Sequence, residues 1–193
     1  RRLQSFCLEL FQKTATTNME VSEEIVEFFK STYDTFIQFE SVLNGKVSDE
    51  ERKLIMDDLG TAGSNFREKI YGNGFSGKKQ SIEVNKLSGF IALTLKYIDH
   101  TIYSNKRSDS LYHSYNLVAI KKDAVSIRNL YEMLEGQVAV LNAGVLNTAE
   151  VIEVLDALKS SAMYRKDQYS YMLYPDRQLP RFMEKNCVPA EWV

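Results

Sequence analysis

Several features are nearly missing from this sequence, and each absence narrows what the chain can be. Cysteine occurs twice in 193 residues, as Cys7 and Cys187 near opposite ends. They form no CxxC pair, and the two histidines, His100 and His113, share no ligand spacing. Neither a disulfide scaffold nor a metal site is therefore predicted, and two reduced thiols suit a cytoplasmic setting. Net charge is also small, formally -2. No global field favours nucleic acid or an anionic membrane, so neither is an expected partner. Long apolar runs are lacking: the most apolar stretch, Leu87 to Leu95, is about half a membrane span and includes Ser88 and Thr94. No signal-peptide pattern opens the chain, which begins at Arg1 and reads as a piece of something longer. Fixed-period repeats, low-complexity tracts and the GxSxG, HExxH and EF-hand patterns are all missing. What these absences leave is a soluble domain with no predicted cofactor or complete catalytic motif.

What is present is ordinary globular composition, 44% apolar and 26% charged. A compact chain of this length buries about 70% of the surface its unfolded form exposes, enough to need no disulfide or metal staple. Helical periodicity dominates. Leu3, Phe6, Leu10 and Phe11 share one face. Ser22, followed by Glu23 and Glu24, is a good helix start, and Ile25, Phe29, Phe36, Phe39 and Leu43 follow at helical spacing up to the Asn44-Gly45 stop. Ser48 and Glu51 form a capping box before Ile55, Leu59, Ala62, Phe66 and Ile70. Gly60 and Gly63 suggest a kink or a close helix crossing there. Leu87, Ile91, Leu95, Ile98 and Ile102 make the cleanest stripe. A helix capped by Ser126 should carry Ile127, Leu130, Tyr131, Leu134, Val138 and Leu141 on its face. A second, from the Asn147/Glu150 cap, should pair with it as a hairpin burying Leu134 and Leu155. Pro180 suits the first position of a short final helix. The fold expected is all-α: a single domain over 1–193 of about six or seven antiparallel helices. It carries two long ordered loops, near 105–123 and 163–179, the first containing at most one short strand within Leu111–Val118.

Three constellations could carry chemistry. Gly72-Asn73-Gly74-Phe75-Ser76-Gly77-Lys78-Lys79 matches both GxGxxG and GxxxxGK. Those motifs aim backbone N–H groups at phosphate from a strand-to-helix turn. Here an amphipathic helix precedes the glycines and Lys79 replaces the magnesium-holding hydroxyl, so no nucleotide is expected. Glu132 and Glu135, read as one helical turn apart, could do acid–base work only if their surroundings separated their pKa values; a solvated face is the simpler reading. The third is a pair of tyrosine-rich loops. Tyr112, His113, Tyr115 and Asn116 form one. Tyr164, Tyr169, Tyr171, Tyr174, Asp176, Arg177 and Arg181 form the other. Aromatic faces stack on sugar C–H faces while amides, carboxylates and guanidiniums bond hydroxyls. Tyr112, His113, Tyr115, Asn116, Asp176 and Arg177 are therefore the candidate ligand-binding residues, against the alternative that the tyrosines pin their loops to the core.

Three segments carry a resemblance. Ser110-Leu111-Tyr112-His113-Ser114-Tyr115-Asn116-Leu117, Leu130 to Val140, and Leu173-Tyr174-Pro175-Asp176-Arg177-Gln178-Leu179-Pro180-Arg181-Phe182 resemble the carboxy-terminal part of large bacterial cellobiose-phosphorylase-like proteins. The resemblance covers about the second half of the chain and places no catalytic residue on it. It implies a helical region of a larger bacterial carbohydrate-related protein, with the parent's other domains and an oligosaccharide as partners. The alternative is a non-catalytic helical protein-interaction module. A stand-alone hydrolase ranks third.

Overall fold

The computed structural model describes residues 1–189 and Glu191. The Ser48 hydroxyl accepts the Glu51 N–H while the Glu51 carboxylate accepts the Ser48 N–H. This capping box starts helix α3, which runs unbroken over Asp49–Asn73. A Cβ at Gly60 would meet nothing and one at Gly63 only the Arg67 side chain, so no close helix crossing occurs there. Helix α1 (Arg2–Lys13) packs on α4 (Val84–Ser104), and α2 (Glu23–Gln38) packs on α3 and α4. Helix α2 stops earlier than its periodicity suggests and passes into a 3-10 turn over Glu40–Asn44. Aromatic edges join these helices: Phe90 of α4 sits between Phe29, Tyr33 and Phe36 of α2, at centroid distances of 5.3, 5.6 and 6.1 Å. The Tyr97 hydroxyl donates to the Phe36 carbonyl at 2.9 Å.

The all-α expectation is overturned. Among the described residues seven helices are joined by six strands, arranged as three two-stranded antiparallel sheets, so the fold is mixed α and β. Strand β1 (Asn18–Ser22) pairs with β2 (Lys79–Glu83), with Asn18 opposite Glu83 and Ser22 opposite Lys79. Each strand runs directly into a helix, so α2 and α4 leave from opposite ends of one ladder. The Glu23 N–H to Lys78 carbonyl and Val84 N–H to Thr17 carbonyl bonds extend that ladder at both ends. Five-residue strands fused to helix starts leave little period-two signal of their own.

The expected helix from Ser126 is also wrong at its start. Val125–Asn129 is strand β4, paired with β3 (Asn116–Ile120), and helix α5 begins only at Leu134 and ends at Ala143. Ile127, Leu130 and Tyr131 fit helical spacing, yet Val125, Ser126, Ile127 and Arg128 also alternate; a run this short satisfies both periods until a partner strand decides. Gly144, at φ +65°, ends α5 in the left-handed region that favours glycine. The Asn147/Glu150 capping box then starts α6 (Thr148–Ser160) as predicted. Strands β5 (Tyr164–Arg165) and β6 (Ser170–Tyr171) form a hairpin inside the segment expected to be irregular. Helix α7 spans Phe182–Lys185 with Arg181 at its cap, so Pro180 precedes it rather than opening it.

The hairpin of α5 and α6 forms, but Leu155 does not lie within it: that side chain is 49% exposed. Leu158 takes the buried place, with Leu111 and Met163, and half-buried Leu134 packs against them. Beside this cluster Tyr112, Val140 and Val154 form a second one, to which Ile102 at the end of α4 contributes. The expected 105–123 loop therefore delivers Leu111 and Tyr112 into the core.

Candidate functional site

Burial of Tyr112 sets the geometry around it. The side chain has 0% exposure, and its backbone N–H and C=O are both taken by the buried Gln137 amide, at 2.9 Å each. Gln137 also donates to the Met133 carbonyl at 3.0 Å. A side-chain amide thus acts as a short piece of β-ladder, satisfying groups that would otherwise be buried unpaired. Burial pushes the Tyr112 phenol above its ordinary pKa, and its hydroxyl finds no partner among the described residues. Next along the chain, Ser114 presses on α5 where the helix has Gly136; an added Cβ there would lie 2.6 Å from the Ser114 Cβ. A glycine is required at this approach.

These constraints push Tyr115 outward at the foot of the β3–β4 hairpin, where its carbonyl accepts the Leu130 N–H at 3.1 Å. Tyr131 follows immediately. The Leu134 N–H, at the start of α5, donates to the Leu173 carbonyl at 3.0 Å, which brings Tyr174 alongside. Tyr131 and Tyr174 meet edge to face, centroids 6.1 Å apart, and the Arg177 guanidinium lies 4.5 Å from the Tyr131 ring centroid. The cleft so formed has a volume of about 260 Å³ and is lined by Tyr115, Leu130, Tyr131, Met133, Glu135 and Tyr174. Aromatic edges, a carboxylate and a nearby guanidinium can grip a polyhydroxylated ring. Glu135 supplies a carboxylate to that lining.

The sequence candidates divide accordingly. Tyr115 lines the cleft, and Arg177 stacks on its Tyr131 wall. Asp176 is exposed beside Arg177. Tyr112 presents no surface. His113 is half-buried, its Nδ1–H donating to the Leu130 carbonyl at 2.9 Å, and Asn116 donates from Nδ2 to Asn105 Oδ1 at 3.1 Å. The two tyrosine-rich segments do converge, but through Tyr115 and Tyr174 rather than through Tyr112, His113 and Asn116. Tyr131 was read as part of a helix face, and Met133 carries no polar or aromatic group that would single it out in sequence. Glu132 and Glu135 are not a turn apart on one helix: Glu132 precedes α5 and pairs with Arg107 at 3.1 Å.

A larger hollow, about 780 Å³ and wide open, lies among Glu40, Lys96, Asp99, His100 and Tyr103. Its polar groups are already satisfied: Lys96 by Glu40 at 2.8 Å, Asp99 by Arg1 at 2.6 Å, and the His100 Nε2–H by the Gly45 carbonyl at 2.7 Å. Size alone does not make it the better candidate, because a ligand there would have to break existing pairs.

The glycine-rich loop follows a helix and precedes a strand, the reverse of a phosphate-binding order. An internal anion already takes one of its amides: the Glu24 carboxylate accepts the Ser76 N–H at 2.8 Å and the Ser22 hydroxyl besides. Those bonds hold Glu24 down to about 2. Among the described residues no group of three or more His, Cys, Asp or Glu side chains is placed to hold a metal ion, and no helix is long and apolar enough to cross a membrane.

No protein-family model matches the chain, and no curated protein matches it.

Proposed function

We propose that this chain is a domain of a larger bacterial carbohydrate-related protein, working in the cytoplasm, and that it contributes sugar contacts through the Tyr115–Tyr131–Tyr174 cleft. One observation carries this reading: tyrosines from two segments far apart in sequence meet around a single cleft, with Glu135 in its lining and Arg177 against Tyr131. The three segments that resemble cellobiose-phosphorylase-like proteins are the ones that build it, supplying Tyr115, then Leu130 to Glu135, then Tyr174. Titration calorimetry with cello-oligosaccharides tests the proposal. Binding should be detectable and should weaken by about fivefold to a hundredfold in Tyr131→Ala or Tyr174→Ala, as loss of an aromatic stacking face of about 1–3 kcal/mol implies. Absence of heat from the intact chain would refute the sugar assignment.

A protein-interaction module is the second reading. It is favoured by the apolar side chains left exposed on α1, namely Leu3, Phe6 and Leu10, and along β3. The other domains of the parent protein are the natural partners on this reading.

A further inference from the structure

Strand β3 has one edge paired and one edge open. Its register with β4 sets Leu117 opposite Arg128 and Ala119 opposite Ser126, and the hairpin closes through the Lys121 N–H to Ala124 carbonyl bond. Facing residues in an antiparallel pair alternate between bonded and non-bonded positions. Tyr115 and Lys121, at the two ends, are bonded inward to β4's side, so Leu117 and Ala119 are bonded inward as well. The N–H and C=O groups of Asn116, Val118 and Ile120 then point away from β4. Among the described residues no hydrogen bond takes the backbone groups of Val118 or Ile120 on that side. Leu117, Val118 and Ile120 are 44, 57 and 65% exposed, so neither face nor edge is covered there. The strand also lacks the devices that protect an open edge: Asn116-Leu117-Val118-Ala119-Ile120 contains no charge and no proline, and its five residues pair with β4 without a bulge. By contrast β4 is anchored to α3, where Arg52 donates to the Val125 carbonyl at 2.7 Å.

We propose that this edge joins a second copy of the chain, the two β3 strands pairing antiparallel about Val118 to make a four-stranded sheet. This register matches every outward group: Val118 faces its own symmetry mate and Asn116 faces Ile120. A one-residue shift of the centre leaves Ile120 opposite Ser114, outside the strand. The same register sets Lys121 of the second copy opposite Tyr115, at the mouth of the cleft that holds Glu135. Lys121, at the start of a tip that also carries Lys122 and Asp123, thereby faces a carboxylate and an aromatic ring twice per dimer, and each cleft gains a cation from the other copy. The pairing does not depend on what the cleft binds.

Sedimentation velocity on the 193-residue chain from about 1 to 100 µM tests it, bracketing the affinity expected of a modest interface. The expected result is a concentration-dependent dimer. Val118→Pro removes an outward N–H without touching the bonds to β4, and Val118→Lys sets like charges face to face at the axis. Each should give a monomer across the range with an unchanged far-ultraviolet circular dichroism spectrum; if the proline variant misfolds, the lysine variant decides. Lys121→Glu should weaken the dimer roughly tenfold through its two equivalent ion pairs, and Lys121→Glu with Glu135→Lys should restore it. A wild-type chain that stays monomeric, a dimer that survives in a folded Val118→Lys variant, or a charge swap that restores nothing would overturn the proposal.

Discussion

At the scale of single residues, two polar side chains hold the molecule in ways that apolar patterning does not show. Glu24 ties the glycine-rich loop to the start of α2. Its carboxyl is held at about 2, against an ordinary 4.5, by the Ser22 hydroxyl first and then by Ser76. The folded pKa is the depressed one, so the stabilisation is fully present above the unfolded value and is lost as pH falls through the folded one. Glu24→Gln should lower the melting temperature at neutral pH. The gap between variant and wild type should then close as pH falls from about 4.5 toward 2. A gap that stayed constant through that range would show that Glu24 acts by packing alone. Gln137 is the second case, because it satisfies both backbone groups of Tyr112 inside the core. Gln137→Leu keeps the volume and orphans a buried N–H and a buried C=O, at a cost of about 1–3 kcal/mol each. Urea unfolding should show that loss, and a change below about 0.5 kcal/mol, the usual surface effect, would contradict it.

At the scale of elements, helix starts written as capping boxes are reliable and those written as single serines are not. Ser48 and Asn147 cap helices in the way their sequences announce. Ser22 precedes a helix, but its hydroxyl bonds the Glu24 side chain instead of capping the backbone. Ser126 lies inside β4. A box is self-contained, since both partners are local; a lone serine can be claimed by a neighbour or by a strand. The hairpin of α5 and α6 makes the same distinction for burial. Leu155 and Leu158 both fit the apolar face of α6, and the packing of Leu111 and Met163 against Leu158 separates them. Leu158→Ala should cost about 2–5 kcal/mol, the range for emptying a buried leucine site. Leu155→Ala should stay within about 0.5 kcal/mol. Equal losses in urea melts would place both side chains in the core and contradict the register of α6.

At the scale of the whole molecule, α4 belongs to both halves. Phe90 and Tyr97 join the aromatic packing with α2, and Ile102 reaches the cluster of Tyr112, Val140 and Val154. A helix shared in this way should make unfolding a single cooperative transition. Far-ultraviolet dichroism and tyrosine fluorescence, followed through one urea titration, should coincide; separate midpoints would show that the two halves melt independently. Only some of this was legible in the sequence. Helices α1 to α4 and α6 could be read from 3.6-residue periodicity and caps because those signals are local. The tyrosine-rich segments could be read as candidates because residue chemistry is visible in one dimension. The three small sheets could not, beyond the short strand allowed within Leu111–Val118, which overlaps β3, since strands of two to five residues offer too few positions to separate the two periods. Nor could the division of labour among the tyrosines. Tyr112 and Tyr115 are three residues apart in one loop, and only the closing of Gln137 on the Tyr112 backbone and the pressing of Ser114 against Gly136 send one into the core and the other into the cleft. The sequence by itself determined where the capping-box helices α3 and α6 start and which residue types gather. The tertiary structure decided which of those residues face outward, because burial is a property of what packs opposite, and that is set by pairing across the fold.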